Sequence, residues 1–280
     1  MKNPDQTFPL VTYAPIQIKH GESSRTENLV CQELPLEIRI NDSPYATLMR
    51  TPGLDKELAV GFCFTDGVVD AIDEIADIQC LSVSDSPYVA TMTMNIPKFS
   101  GQDMNRRSLL KSSSASVNRM QILEHIQGPG SDSEQHDTCF NLSVLDDLPD
   151  KLKACQTLRT KCHSTHGAAL FDQYGELLCC TEDVGRHNAL DKLIGYVLLN
   201  SIKTDETILM LSSRASFEMI QKAGRIAIPV VATISAPTDL ALKVAERLRC
   251  TYVSYLKQGG VYIYTHPWRF GLTGECEEYS

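Results

Sequence analysis

Thr207-Ile208-Leu209-Met210-Leu211 and Val230-Val231-Ala232-Thr233-Ile234 are two short apolar runs in the C-terminal half of the chain. Neither alternates apolar with polar residues, as a strand with one wet face would. Each leads into a turn, Ser212-Ser213-Arg214-Ala215-Ser216 or Ser235-Ala236-Pro237-Thr238, and then into a helical pattern over 217–223 or 239–248. Buried runs alternating with amphipathic helices predict parallel strands covered on both faces, an α/β fold. Upstream, residues 168–171 and 176–180 flank a turn and read as a hairpin. Residues 188–199 read as a helix with Leu190, Leu193, Ile194 and Val197 on one face. Downstream, 251–256 and 261–265 pair across Lys257-Gln258-Gly259-Gly260.

The N-terminal half is less regular. Residues 34–40 and 45–49 form a predicted hairpin around Asn41-Asp42-Ser43, 54–60 has helical spacing, and 89–96 is a strand candidate. A polar, serine-rich tract over 100–116 reads as a surface loop, continuing to 119, and 128–133 is a second break. A helix is expected within 141–158. The boundary is placed near Pro149, giving a β-rich N-terminal subdomain over 1–149 and an α/β domain over 150–280.

Composition narrows the classes. The chain has 280 residues, of which 42% are hydrophobic and 22% charged, as expected of a globular protein with a sizeable core. Its formal charge of −9 is the wrong sign for tracking a nucleic acid backbone, so no nucleic acid partner is expected. No stretch reaches the roughly 18 apolar residues that a membrane span needs, so no membrane partner is expected. The start, Met1-Lys2-Asn3-Pro4-Asp5-Gln6, lacks the apolar core of a signal peptide. The ten cysteines contain no C-x-x-C pair and suit reduced thiols in a cytoplasmic protein.

In such a sheet, ligands bind beyond the carboxyl ends of the strands. Three turns there share one chemistry: the segment from Thr181 through Asp183 to His187, the Ser212–Ser216 turn and the Ser235–Thr238 turn. Each supplies free backbone N–H groups, hydroxyls and a helix start, the elements of an anion site. Arg186, His187 and Arg214 add charge and forked donors suited to phosphate, and Ser212, Ser213 and Ser216 add hydroxyls. The plainer alternative makes Asp183 and Ser216 helix N-caps. Cys162, His163 and His166 raise the thought of zinc, but no second cluster has ligand spacing. The zinc deaminase pattern and the G-x-S-x-G elbow are both absent.

At these turns the chain resembles the formate dehydrogenase accessory sulfurtransferase family (FdhD). The resemblance is carried by Glu182-Asp183-Val184-Gly185-Arg186-His187-Asn188-Ala189-Leu190-Asp191-Lys192 and by Ser212-Ser213-Arg214-Ala215-Ser216-Phe217-Glu218-Met219. It is extended by Glu57-Leu58-Ala59-Val60-Gly61-Phe62, Thr165-His166-Gly167 and Tyr264-Thr265-His266-Pro267, within a span of about 28–270. It implies a cytidine-deaminase-like three-layer core in the C-terminal half, a homodimer, and sulfur transfer from a cysteine desulfurase to the molybdenum cofactor of formate dehydrogenase. The implied client is the molybdenum bis-molybdopterin guanine dinucleotide. The family's cofactor-binding stretch matches Tyr255, Leu256, Lys257, Gln258, Gly259 and Gly260.

One departure matters. The family carries sulfur on a C-x-x-C loop, and here Ala115 and Asn118 stand at the two cysteine positions. A methyl group and an amide cannot attack or hold a persulfide. Two expectations follow. The first is a sulfurtransferase using another cysteine, with Cys162 or the Cys179-Cys180 pair as candidates. The second is a cofactor-binding chaperone that has lost the relay.

Overall fold

A computed structural model describes residues 9–82, 90–99, 138–255 and 259–272. The two buried runs become central strands of one six-stranded sheet. Its strands are β9 (His166–Asp172), β10 (Leu177–Asp183), β11 (Thr207–Leu211), β12 (Val230–Thr233), β13 (Thr251–Tyr255) and β14 (Val261–Ile263). The spatial order is β10-β9-β11-β12-β13-β14. Strands β11, β12 and β13 run parallel, whereas β9–β10, β9–β11 and β13–β14 are antiparallel. The sheet is therefore mixed rather than purely parallel, because a tight hairpin can only return antiparallel.

Successive side chains on a strand point to opposite faces, and here both faces are covered. Leu209, Leu211, Val231, Ala168 and Leu170 enter one apolar cluster, while Ile208, Met210, Val230, Ala232 and Phe171 enter another. The first cluster is roofed by three helices, α4 (Arg186–Leu199), α5 (Phe217–Arg225) and α6 (Asp239–Arg247). The second is covered by α2 (Leu148–Cys155), followed by the short α3 (Thr157–Cys162). The expected helix within 141–158 is broken into pieces. Pro149 sits in the first turn of α2, where its missing N–H costs nothing, and Gln156, with ψ 74, ends it.

The N-terminal region forms a four-stranded sheet in the order β6-β5-β8-β7. Its strands are β5 (Leu34–Ile40), β6 (Ser43–Arg50), β7 (Asp77–Ser82) and β8 (Ala90–Asn95), with α1 (Asp55–Thr65) between β6 and β7. Two strand pairs precede it, β1 (Leu10–Tyr13) with β4 (Asn28–Cys31) and β2 (Ile16–Lys19) with β3 (Glu22–Arg25). Leu36, Ile38, Met92 and Met94 of this sheet share the first apolar cluster with Leu190, Leu193 and Ile194 of α4. The core thus runs across residue 149 without a break.

Helix α1 is seated on α4 through two glycines. A Cβ on Gly61 would lie 1.9 Å from the Asp191 carbonyl oxygen, and one on Gly195 would lie 1.8 Å from that of Glu57. Only residues without side chains allow the two backbones to approach so closely. No helix among the described residues is long and apolar enough to cross a membrane.

Candidate functional site

Strand directions put several turns at one edge. Strand β10 is antiparallel to β9, and β9 is antiparallel to β11, so β10 runs the same way as β11, β12 and β13. The turns after β10, β11 and β12 therefore leave the same edge, where β9 begins at His166. Ser212 N donates to the Gly167 carbonyl at 3.0 Å and Gly167 N donates to Ser212 Oγ at 2.8 Å, fastening the second turn to the start of β9. His187 Nε2 lies 3.0 Å from Glu218 Oε2, joining the starts of α4 and α5.

Within the first turn the residues divide by role. Asp183 is fully buried. Its Oδ2 accepts from Thr51 N at 3.0 Å and pairs with Lys192 Nζ at 2.8 Å, while Oδ1 accepts from Gly185 N at 2.9 Å and Asn188 Nδ2 at 3.1 Å. Four protein donors thus occupy its two carboxylate oxygens, and in this structure it frames the turn. It is not the N-cap, a position held by Gly185. Lys192 also donates to the carbonyls of Thr51 at 2.8 Å and Glu182 at 3.2 Å. Asp191 holds Thr65 and Lys222, tying α4 to α1 and α5. Glu182 accepts from the backbone N–H groups of Leu158 and Arg159 at 2.7 and 2.8 Å, capping α3. Much of the run from Glu182 to Lys192 is thus a buttress, and Arg186 is left exposed at the helix start.

The second turn keeps its polar groups in a different state. Ser216 occupies the N-cap position of α5, yet makes no side-chain cap bond, and its buried Oγ has no partner. Arg214 is exposed. Ser213 is buried and donates to the Arg214 carbonyl at 3.1 Å. In the third turn Thr238 caps α6 by accepting from Ala241 N at 3.3 Å. The half-buried ring of His166, part of the Thr165-His166-Gly167 signature, stands at this edge with Nδ1 unpartnered. Burial, then the charges of Arg159 and Arg186, hold its pKa below the usual histidine value. Glu218 is held below the usual carboxylate range by its hydrogen bond to His187. Among the described residues no group of three or more His, Cys, Asp and Glu side chains is placed to hold a metal.

A cavity of about 310 Å³ opens beside the same edge, lined by Leu145, Asp146, Pro149, Ile234, Tyr255, Gly259, Gly260 and Val261. Gly259 and Gly260 have φ of 90° and 85°, the left-handed region that glycine enters without strain. Tyr255 donates its hydroxyl to the Leu145 carbonyl at 2.6 Å, so its ring is what it offers the cavity. Leu256, Lys257 and Gln258 lie outside the described residues, as do Ala115 and Asn118.

The thiols named as substitutes fare differently. Cys179 is buried and its pKa is pushed up to about 12 by desolvation. Cys162 sits beside Cys31, whose thiol burial also raises. Cys180 meets a residue that sequence inspection passed over: its Sγ lies 2.6 Å from Sγ of Cys155 at the end of α2. Nothing in the local pattern around Cys155 signals this, because the two are brought together only by packing α2 on β10.

The mixed α/β fold that carries this edge is that of a known protein class. The model of the FdhD/NarQ family matches residues 31–271, and the chain belongs to that family. It is 32% identical over 257 residues to the sulfur carrier protein FdhD of Sulfolobus acidocaldarius, covering 91% of this chain and 96% of that one. It is 36% identical over 266 residues to the sulfur carrier protein FdhD of Streptomyces avermitilis, covering 92% and 94%. A crystal structure from Desulfotalea psychrophila, described as a formate dehydrogenase accessory protein, superposes with a TM-score of 0.73 over 93% of this chain and 98% of that one. At 23% identity this last likeness speaks to the fold.

Proposed function

We propose that the protein is a cytoplasmic, homodimeric formate dehydrogenase accessory protein that holds the guanine-dinucleotide molybdenum cofactor at this edge. The observation that carries the reading is the coincidence of unspent polar groups there. Arg186 and Arg214 are exposed at two helix starts, while Ser216 Oγ and His166 Nδ1 are buried without partners. A diphosphate supplies acceptors for forked guanidinium donors and for backbone N–H groups at helix starts. The neighbouring cavity with Tyr255 and the two glycines suits a flat heterocycle.

Guanosine diphosphate should raise the melting temperature, as a ligand of the native state must, and Arg214→Ala should reduce the rise. No shift with any guanine nucleotide overturns the reading.

The relatives' name, sulfur carrier protein, supports a sulfur-carrying role, and the first reading adds that cofactor as the acceptor and a cysteine desulfurase as the donor. A second reading, a chaperone that binds the cofactor without a relay, is favoured by Ala115 and Asn118 at the family's cysteine positions. Installing Ala115→Cys with Asn118→Cys separates them: sulfur loading from a desulfurase that appears only in the double variant supports the chaperone.

A further inference from the structure

We infer that Cys155 and Cys180 form a dithiol that accepts sulfane sulfur from a persulfide and releases it as sulfide. The inference rests on the sulfur-handling reading above, and supplies the thiols that positions 115 and 118 do not.

The geometry comes first. Cys155 lies at the last turn of α2 and Cys180 in the middle of β10, on the face that α2 covers. Their sulfurs are 2.6 Å apart, closer to the 2.05 Å of a disulfide bond than to a van der Waals contact between sulfurs. Both residues are partly exposed, so a small reagent can approach. The Cys155 thiol also reaches the Leu152 carbonyl at 3.1 Å. By contrast Cys179, next in sequence, points to the opposite face and is buried in the other apolar cluster.

The chemistry then follows from which sulfur is the nucleophile. The hydrogen bond between the two thiols lowers the pKa of Cys155 and raises that of Cys180. The thiolate is the attacking species, so Cys155 attacks the outer sulfur of a donor persulfide, R–S–SH. The new bond joins that sulfur to Cys155, the donor S–S bond breaks, and the donor leaves as its thiol. Cys180 is then within reach of the Cys155 sulfur of the resulting persulfide. Its attack forms the Cys155–Cys180 disulfide and expels hydrosulfide, which takes up the Cys180 proton. The sulfane sulfur gains two electrons and the two thiols lose them. A small-molecule thiol reopens the disulfide by exchange and is itself oxidised. A lone thiol would store the persulfide, whereas a neighbour at this distance discharges it.

The test uses the reduced full-length chain and glutathione persulfide. The wild type should release sulfide in stoichiometric amount and yield a disulfide joining tryptic peptide 154–159 to peptide 162–186. Cys180→Ser should release none and instead carry the mass of one added sulfur atom on the peptide containing Cys155. Cys155→Ser should do neither, while Cys162→Ser and Cys179→Ser should behave as the wild type. Undiminished sulfide release from Cys155→Ser, or no added sulfur on Cys180→Ser with an unchanged melting temperature, overturns the inference. If the serine at 180 impairs folding, the wild-type peptide map decides, and absence of the 155–180 cross-link is fatal. Guanosine diphosphate binding is measured on the same samples. An intact nucleotide shift without sulfur chemistry rejects the dithiol alone, and the reverse result rejects the cofactor reading alone.

Discussion

Asp183 and Lys192 face each other at 2.8 Å with neither side chain exposed, one at the end of β10 and the other in the second turn of α4. The pair also clamps Thr51, whose N–H goes to Asp183 and whose carbonyl goes to Lys192. The N-terminal sheet is thereby fixed to the edge where α4 begins.

Removing one member of such a pair leaves a buried charge without compensation. Lys192→Met should cost about 3–5 kcal/mol in urea unfolding. The double variant Asp183→Leu with Lys192→Met should recover part of that loss. A cost below about 1 kcal/mol for the single variant would show that water reaches the pair.

The glycine contact between α1 and α4 makes a sharper steric prediction. Gly195→Ala and Gly61→Ala should each destabilise the fold by about 1–3 kcal/mol or more, since a rigid backbone carbonyl must move. Gly21→Ala, where nothing lies within 4 Å, is the comparison and carries only the cost of its φ of 88°. Equal losses at all three positions would remove the packing argument.

Acid should weaken the site in a defined direction. The folded protein disfavours protonated His166, so the unfolded chain takes up that proton first as pH falls below about 6.5. The His166 contribution to stability is therefore intact above the unfolded pKa and declines as pH falls toward the lower folded value. Glu218, also lowered, loses its contribution as pH falls through its folded value. NMR titration should show the His166 midpoint rising in Arg186→Gln and rising further when guanosine diphosphate binds, because both changes reduce the positive field.

Thiol reactivity should be graded by environment. Limited iodoacetamide treatment near neutral pH should modify Cys155 before Cys179 and Cys250, both of which are buried with pKa pushed up to about 12. Peptide mapping gives the order, and early labelling of Cys250 would mean that the sheet opens locally.

Particular residues show where sequence reading succeeded and where it stopped. Residues 208–211 are legible as a buried strand because both faces of that segment are covered and all four side chains are apolar. The two strand pairs between residues 10 and 31 carry no readable pattern. Ile16 and Ile18 of β2 stay 63% and 75% exposed, and four-residue strands give too few alternations to read. The break at Gln156 left no mark of its own in a helix-compatible stretch.

What the chain alone determined is the alternation of apolar runs and helices, the turns that begin α4, α5 and α6, and the family signature from Glu182 to Lys192. Local composition suffices for these, since propensity and periodicity act over a few residues. Only the tertiary structure separated Asp183, spent on Lys192 and Thr51, from Arg186, left facing solvent three residues later. Only it set Cys155 against Cys180, because a hydrogen bond or a thiol contact depends on angstrom distances between segments, and those distances are fixed when the helices and sheets pack.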